Sequence, residues 1–102
     1  MIREVEQEAK VIEDLCRRHH VRRLELFGSA ASGAFNPSSS DLDFLVEFEE
    51  LQPGAYADAY FGLLEDLQRI FQRTIDLVVA RSVRNPYLLE KIGQSRALLY
   101  AA

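Results

Sequence analysis

The chain contains 102 residues, 48% of them apolar, and its twelve basic and sixteen acidic side chains give a net charge of −4. The apolar fraction excludes an intrinsically disordered chain, and the length fits one domain, which we expect to cover residues 1–102. The negative charge argues against direct nucleic-acid binding through bulk positive charge.

The N-terminal segment is charged from residue 3 onward and has no apolar signal core. The single cysteine, Cys16, can form no internal disulfide and falls on an apolar stripe. No apolar run approaches the roughly 20 residues needed to span a bilayer. These features predict a soluble, cytoplasmic protein without membrane association.

The first predicted element is a helix, because apolar residues recur at spacings of three and four: Ile2, Val5, Ala9, Ile12, Cys16 and His19. The basic run at 17–23 is interpreted as the end of this helix and the solvated start of a strand, with contact to RNA or phosphate as the alternative. That strand covers residues 21–27 and ends at Gly28-Ser29. Small and turn-forming residues at 30–40 predict a loop or short helix.

Strict alternation over residues 41–48 predicts a second strand. A strong helical stripe follows at 56–71, and the β-branched run at 74–80 predicts a third strand. Asn85-Pro86 opens a last helix, and residues 97–100 favour a terminal strand. The order predicts an α/β (α+β) domain with a small mixed sheet flanked by helices.

Two acids, Asp41 and Asp43, lie in the otherwise apolar second strand. Residues two apart on a strand project to the same side, so these carboxylates face away from Leu42 and Phe44 together. A divalent cation usually relieves such repulsion, and oxygen-only ligands favour Mg²⁺. Asp-x-Asp alone is also typical of strand edges and turns, so the metal site is predicted only together with its surroundings.

A third acid, Asp76, lies early in the third strand. Because a helix connects the second and third strands, they should be parallel, which places Asp43 and Asp76 at the same edge of the sheet. The first strand should instead be antiparallel to the second, because too little chain separates Ser29 from Asp41 for a crossover. Gly28 and Ser29 then share the rim with all three acids.

Backbone N–H groups after Gly28 and the hydroxyl of Ser29 suit phosphate oxygens, and glycine permits close approach of the backbone. Carboxylates that hold Mg²⁺ beside such a cradle predict metal-assisted transfer of a phosphorus-centred group. The third acid is the candidate for accepting the proton of the attacking hydroxyl.

Gly28-Ser29, a short spacer and then Asp41-Leu42-Asp43 resemble the signature of the DNA polymerase beta-type nucleotidyltransferases. The small size, Asp76 and the NPYLLEKI segment make the chain most similar to the minimal nucleotidyltransferases of prokaryotes. The resemblance covers nearly the whole chain from the first strand onward and implies the palm fold of that superfamily. It also implies two groups of site residues: Asp41, Asp43 and Asp76 would be catalytic and bind Mg²⁺, and Gly28, Ser29 and Ser40 would bind the nucleotide.

Minimal members of this family commonly act as antitoxins that transfer AMP from ATP to a tyrosine of a partner, a HEPN-type RNase toxin. The resemblance therefore implies ATP as substrate and a hetero-oligomer with such a toxin. Family members often have arginine where Ala30 and Ser32 stand, and ten residues rather than eleven before the first acid. Two alternatives follow, namely a weak or inactive antitoxin that acts by binding its partner, and a module that binds ATP without transferring it.

Overall fold

The computed structural model describes residues 2–32 and 41–102. These form a mixed sheet with helices on both faces, which confirms the predicted α+β class. The elements in chain order are α1 (Arg3–Glu6), α2 (Ala9–Arg18), β1 (Val21–Phe27), α3 (Ser29–Ser32), β2 (Leu42–Phe48), α4 (Pro53–Phe71), β3 (Ile75–Val79), a 3₁₀ turn (Ala80–Ser82), α5 (Pro86–Gln94) and β4 (Arg96–Ala101).

The strand order in the sheet is β3-β2-β1-β4. β2 and β3 are parallel, as expected for strands joined by the crossover helix α4. β1 is antiparallel to both of its neighbours, β2 and β4. The predicted strand directions and the terminal strand are therefore confirmed, and the end of β1 lies beside the beginning of β2.

The main core lies between one face of the sheet and helices α2 and α4. The alternate residues of β1 and β2 that face this core are completely buried, and helical leucines and isoleucine pack on them: Leu24, Leu26, Leu42, Phe44, Val46, Ile12, Leu63 and Leu67. Cys16 is buried in the same cluster, and this burial raises the pKa of its thiol to about 12. Cys16 is thus a core residue, as its position on the helical stripe predicts.

Helix α5 covers the other face of the sheet next to the end of β1. Its Ile92 packs on Phe27, the last residue of β1, and on Leu45 of β2. Pro86 occupies the first turn of α5, and the side chain of Asn85 accepts a hydrogen bond from the Tyr87 amide at 2.9 Å. This anchoring holds the following residues of α5 over the rim of the sheet.

The N-terminal stripe forms two helices where the spacing predicts one. The chain leaves helical geometry at Glu8, whose φ and ψ are −101° and 15°, and α2 begins only at Ala9. The turn keeps Val5 and Ile12 in the core but leaves Ala9 exposed. The prediction that Ala9 belongs to the apolar stripe is therefore wrong. Within the two described ranges, no helix has the length and apolar character to cross a membrane.

Candidate functional site

The turn at the end of β1 has a conformation that favours glycine. Gly28 has a φ of +72°, in the left-handed region where a β-carbon is strained. Helix α3 begins at the next residue, and the amides of Ala31 and Ser32 both donate to the Gly28 carbonyl at 3.1 Å. The chain therefore turns sharply out of the sheet at the predicted Gly-Ser pair, with Ser29 half-buried at the turn.

The carboxylate of Asp43 fills the space beside Gly28. The register of β1 and β2 pairs Phe27 with Asp43, which brings the residue after Phe27 close to this acid. A β-carbon built on Gly28 would lie only 2.3 Å from Asp43 Oδ2. The missing side chain at position 28 thus provides the room that the carboxylate occupies.

The three predicted acids lie at the same rim but in different environments. Asp43 pairs with Asp76 across the parallel strands, and Asp41 immediately precedes β2. Asp41 and Asp76 are exposed, whereas the Asp43 side chain is only 8% exposed. Burial raises the pKa of Asp43, and the nearby charges of Asp76 and Asp41 raise it further. A cation that neutralises this group is therefore favoured at the rim.

A lysine that the sequence reading did not identify reaches the same carboxylate. The Nζ atom of Lys91, on α5, lies 3.3 Å from Asp43 Oδ2 and counteracts the rise in the Asp43 pKa. Its side chain passes over Gly28, since a β-carbon there would be 3.2 Å from Lys91 Cε. The Nζ atom also lies 5.9 Å from the centre of the Phe27 ring. No local pattern marks Lys91, because its position depends on the docking of α5 through the neighbouring Ile92.

The donor set at the rim fits a hard divalent cation. All three predicted ligands are carboxylates, and Mg²⁺ is usually held by one or two carboxylates together with waters and substrate phosphates. In residues 2–32 and 41–102, no three His, Cys, Asp or Glu side chains are already gathered into a metal cage. The chain's own contribution would be the predicted ligands Asp41, Asp43 and Asp76, and nucleotide oxygens would complete the coordination.

The remaining predicted nucleotide contact, Ser40, lies outside the described residues, as does the segment 33–39 that separates it from α3. The roles assigned to Gly28, Ser29, Asp41, Asp43 and Asp76 stay predictions, although the register brings these five residues to one rim.

Comparisons with known proteins point to a single family. A model of the nucleotidyltransferase domain matches residues 8–99. A Methanocaldococcus jannaschii protein named "Putative protein adenylyltransferase" is 33% identical over 85 residues, which cover 83% of this chain and 80% of that protein.

Solved structures show the same relationship. A "putative minimal nucleotidyltransferase" superposes with a TM-score of 0.72 and 29% identity, over 90% of this chain and 89% of that chain. A chain from the complex of a tri-AMPylated Shewanella oneidensis HEPN toxin with an MNT antitoxin has a TM-score of 0.64 and 21% identity, over 96% and 73% of the two chains. The second similarity shows a shared fold.

Proposed function

The chain belongs to the nucleotidyltransferase domain family, and we propose that it transfers AMP from ATP to a tyrosine hydroxyl of a partner protein with the help of Mg²⁺. The observation that carries this proposal is the register of the rim, where Asp43 lies opposite Asp76 and against the backbone of Gly28. Paired carboxylates beside a glycine turn suit a nucleotide whose phosphates are partly neutralised by a cation.

In the proposed reaction, the phenolic oxygen attacks the α-phosphorus of ATP and the bond to the β-phosphate oxygen breaks. Pyrophosphate leaves, and the phenolic proton passes to a carboxylate, for which the exposed Asp76 is the candidate base. Gly28 and Ser29 would orient the phosphates at the turn, Asp41 and Asp43 would hold the cation, and Asp76 would complete the metal site. Mg²⁺, when bound, supplies neutralisation of the phosphate charge and of the leaving group.

The proposed acceptor is a HEPN-type RNase toxin, and the chain would form a hetero-oligomer with it as its antitoxin. The similar protein from Methanocaldococcus jannaschii is named a protein adenylyltransferase, and a chain of the same fold occurs in a complex with an AMPylated HEPN toxin.

The direct test is incubation of the chain with ATP labelled at the α-phosphate, Mg²⁺ and the product of the adjacent gene. We expect label on a tyrosine of that protein and its loss in Asp43→Asn. Asp58→Asn is a matched control, because Asp58 is exposed near the start of α4, which follows the far end of β2. Label transfer that survives Asp43→Asn, or no transfer by the unmodified chain, would contradict the proposal.

A second candidate is an antitoxin that neutralises its partner by binding alone. The observation in its favour is that Asp43 is already paired with Lys91, while Ala30 and Ser32 replace two positive side chains near the turn. The triple variant Asp41→Asn, Asp43→Asn and Asp76→Asn distinguishes the two candidates. If this variant still suppresses the RNase activity of the partner, binding is sufficient; if suppression is lost while the complex still forms, transfer is required.

A further inference from the structure

We propose that Lys91 is an exchangeable cation that neutralises Asp43 before ligands bind and moves to the nucleotide phosphates when Mg²⁺ takes its place. This inference rests on the proposed function, because it assigns a substrate contact within the same rim. It also supplies positive charge to the proposed phosphate-binding turn, where the residues Ala30 and Ser32 are uncharged.

The first step is that Asp43 needs a counter-charge when no metal is bound. Its side chain is only 8% exposed, and Asp41 and Asp76 add negative charge nearby. Burying an unpaired carboxylate is costly, and a cation at hydrogen-bonding distance reduces that cost. The Lys91 ammonium, 3.3 Å from Asp43 Oδ2, is suitably placed to serve as that cation.

The second step is that Lys91 can leave this position without disturbing the fold. Its side chain is 50% exposed, and its four-carbon stem is flexible. The backbone of α5 is held independently, because the neighbouring Ile92 packs on Phe27 and Leu45. A divalent cation bound at Asp43 would repel the ammonium at this short distance, so the two should compete for the carboxylate.

The third step is the direction in which Lys91 would move. Its Cε atom already lies over Gly28, only 3.2 Å from a β-carbon built there. Phosphates held at the turn after Gly28 would therefore lie within reach of the ammonium. Lys91 then binds substrate in one state and Asp43 in the other, and it is not a ligand of the metal in either.

The exchange predicts opposite effects of Lys91→Met on two affinities that calorimetry can measure without the partner protein. The affinity for Mn²⁺ alone should rise roughly threefold to tenfold, because the competing ammonium is gone. The affinity for ATP at saturating Mg²⁺ should fall about tenfold or more, because a charged phosphate contact is lost. The other lysine of the sequence, Lys10, is exposed on α2, and Lys10→Met should change neither affinity.

A merely structural role for Lys91 would weaken both affinities or leave both unchanged, and either result would overturn the proposal. Lys91→Arg keeps the charge and should largely restore the affinity for ATP, which guards against loss of folding in the Met variant. If Lys91→Met shifts the two affinities in opposite directions but the unmodified chain transfers no label to a partner, the exchange at Lys91 is supported and the proposed acceptor is contradicted. Failure of the unmodified chain to bind ATP would overturn both proposals.

Discussion

At the scale of single residues, Gly28 satisfies two constraints at one position. Its backbone is left-handed, with a φ of +72°, and the space of a β-carbon is taken by Asp43 Oδ2. Alanine would therefore combine backbone strain with displacement of a buried carboxylate. Lys91, whose stem crosses the same glycine, would have to move as well.

We expect Gly28→Ala to lower the free energy of unfolding by about 1–3 kcal/mol, mainly through the left-handed backbone. The binding free energy for ATP should weaken by more than the free energy of unfolding, because Asp43 is pushed away from the rim. Gly93→Ala is the matched control: Gly93 lies in α5 with open space around its β-carbon position, and alanine should be neutral or slightly stabilising. Chemical unfolding and ATP titration measure the two effects, and equal unfolding curves for Gly28→Ala and the unmodified chain would contradict the prediction.

A buried carboxylate away from the rim, Glu25, joins β1 to β4. Both of its oxygens accept hydrogen bonds from Arg96, at 2.6 and 2.8 Å, and Arg23 donates to it at 2.9 Å. The hydrogen bonds from Arg96 are the largest cause that holds the pKa of Glu25 below its usual value. A lowered pKa in the folded state means that ionised Glu25 stabilises the fold above its unfolded pKa and loses that contribution as the pH falls.

Glu25→Gln should therefore destabilise the chain by about 1–2 kcal/mol at neutral pH, a modest value because both arginines are partly exposed. The difference from the unmodified chain should be largest above about pH 5 and should shrink below about pH 4, as Glu25 becomes protonated. Urea unfolding across this pH range measures it, with the exposed Glu6→Gln as control. A difference that stays constant down to pH 3 would show that Glu25 does not act through its charge.

Residues such as Asp43 and Gly28 can be predicted from sequence because a local signal marks each of them. Asp43 is an acid in a mostly apolar strand, and Gly28 immediately follows a strand. Lys91 and Glu25 carry no such signal, since each resembles an ordinary surface charge in its own element. Their roles arise only when α5 docks over β1 and β2 and β4 pairs with β1, which brings residues about 50 and 70 positions apart into contact.

At the scale of elements, the contact between α2 and α4 depends on a close approach at Gly62. His19, at the end of α2, places its ring against this glycine and bonds Asp66 Oδ2 through Nε2 at 2.6 Å. Burial alone would raise the pKa of Asp66, but hydrogen bonds from His19 and Arg69 outweigh it and hold the pKa below its usual value. A β-carbon on Gly62 would lie 2.7 Å from His19 Cε1, so a larger residue would force the ring to move.

The same substitution at two positions of α4 should therefore have opposite effects. Gly62→Ala should lower the free energy of unfolding by about 1–2 kcal/mol, since displacing His19 breaks its bond to Asp66 and outweighs the better helix propensity of alanine. Gly54→Ala, in the first turn and with nothing near its β-carbon position, should raise it by up to about 1 kcal/mol. Thermal and urea unfolding compare the two variants, and a stabilising Gly62→Ala would show that the ring moves aside freely.

Element order and strand direction follow from the sequence because they depend on periodicity and connection length. The helical crossover between β2 and β3 dictates a parallel pair, and the short connection from β1 favours an antiparallel one, so the juxtaposition of Asp43 and Asp76 is predictable. The interruption of the first helix at Glu8 is not, because the apolar spacing of Val5 and Ile12 is compatible with one continuous helix. No feature of the sequence explains this interruption.

At the scale of the whole molecule, a chain of net charge −4 concentrates three carboxylates at one end of its sheet. Like charges at this rim oppose folding, and a bound cation would reduce that opposition. Ligands that bind only the folded state stabilise it by mass action, by about 2.7 kcal/mol at a concentration one hundred times the dissociation constant. For a domain of this size, such a gain corresponds to roughly 10–20 °C in Tm.

We therefore expect ATP with Mg²⁺, at one hundred times the dissociation constant, to raise the Tm of the chain by roughly 10–20 °C. Mg²⁺ alone should raise the Tm much less, because few protein ligands are gathered before the phosphates bind. Asp43→Asn should fold but lose the stabilisation by ATP, since the buried ligand and its charge are gone. Asp58→Asn, an exposed substitution on α4, should keep the full shift. Scanning calorimetry with and without EDTA measures all three chains. An equal shift in Asp43→Asn and the unmodified chain would mean that the nucleotide binds away from the rim, and the site proposed at Gly28 and Asp43 would then be wrong.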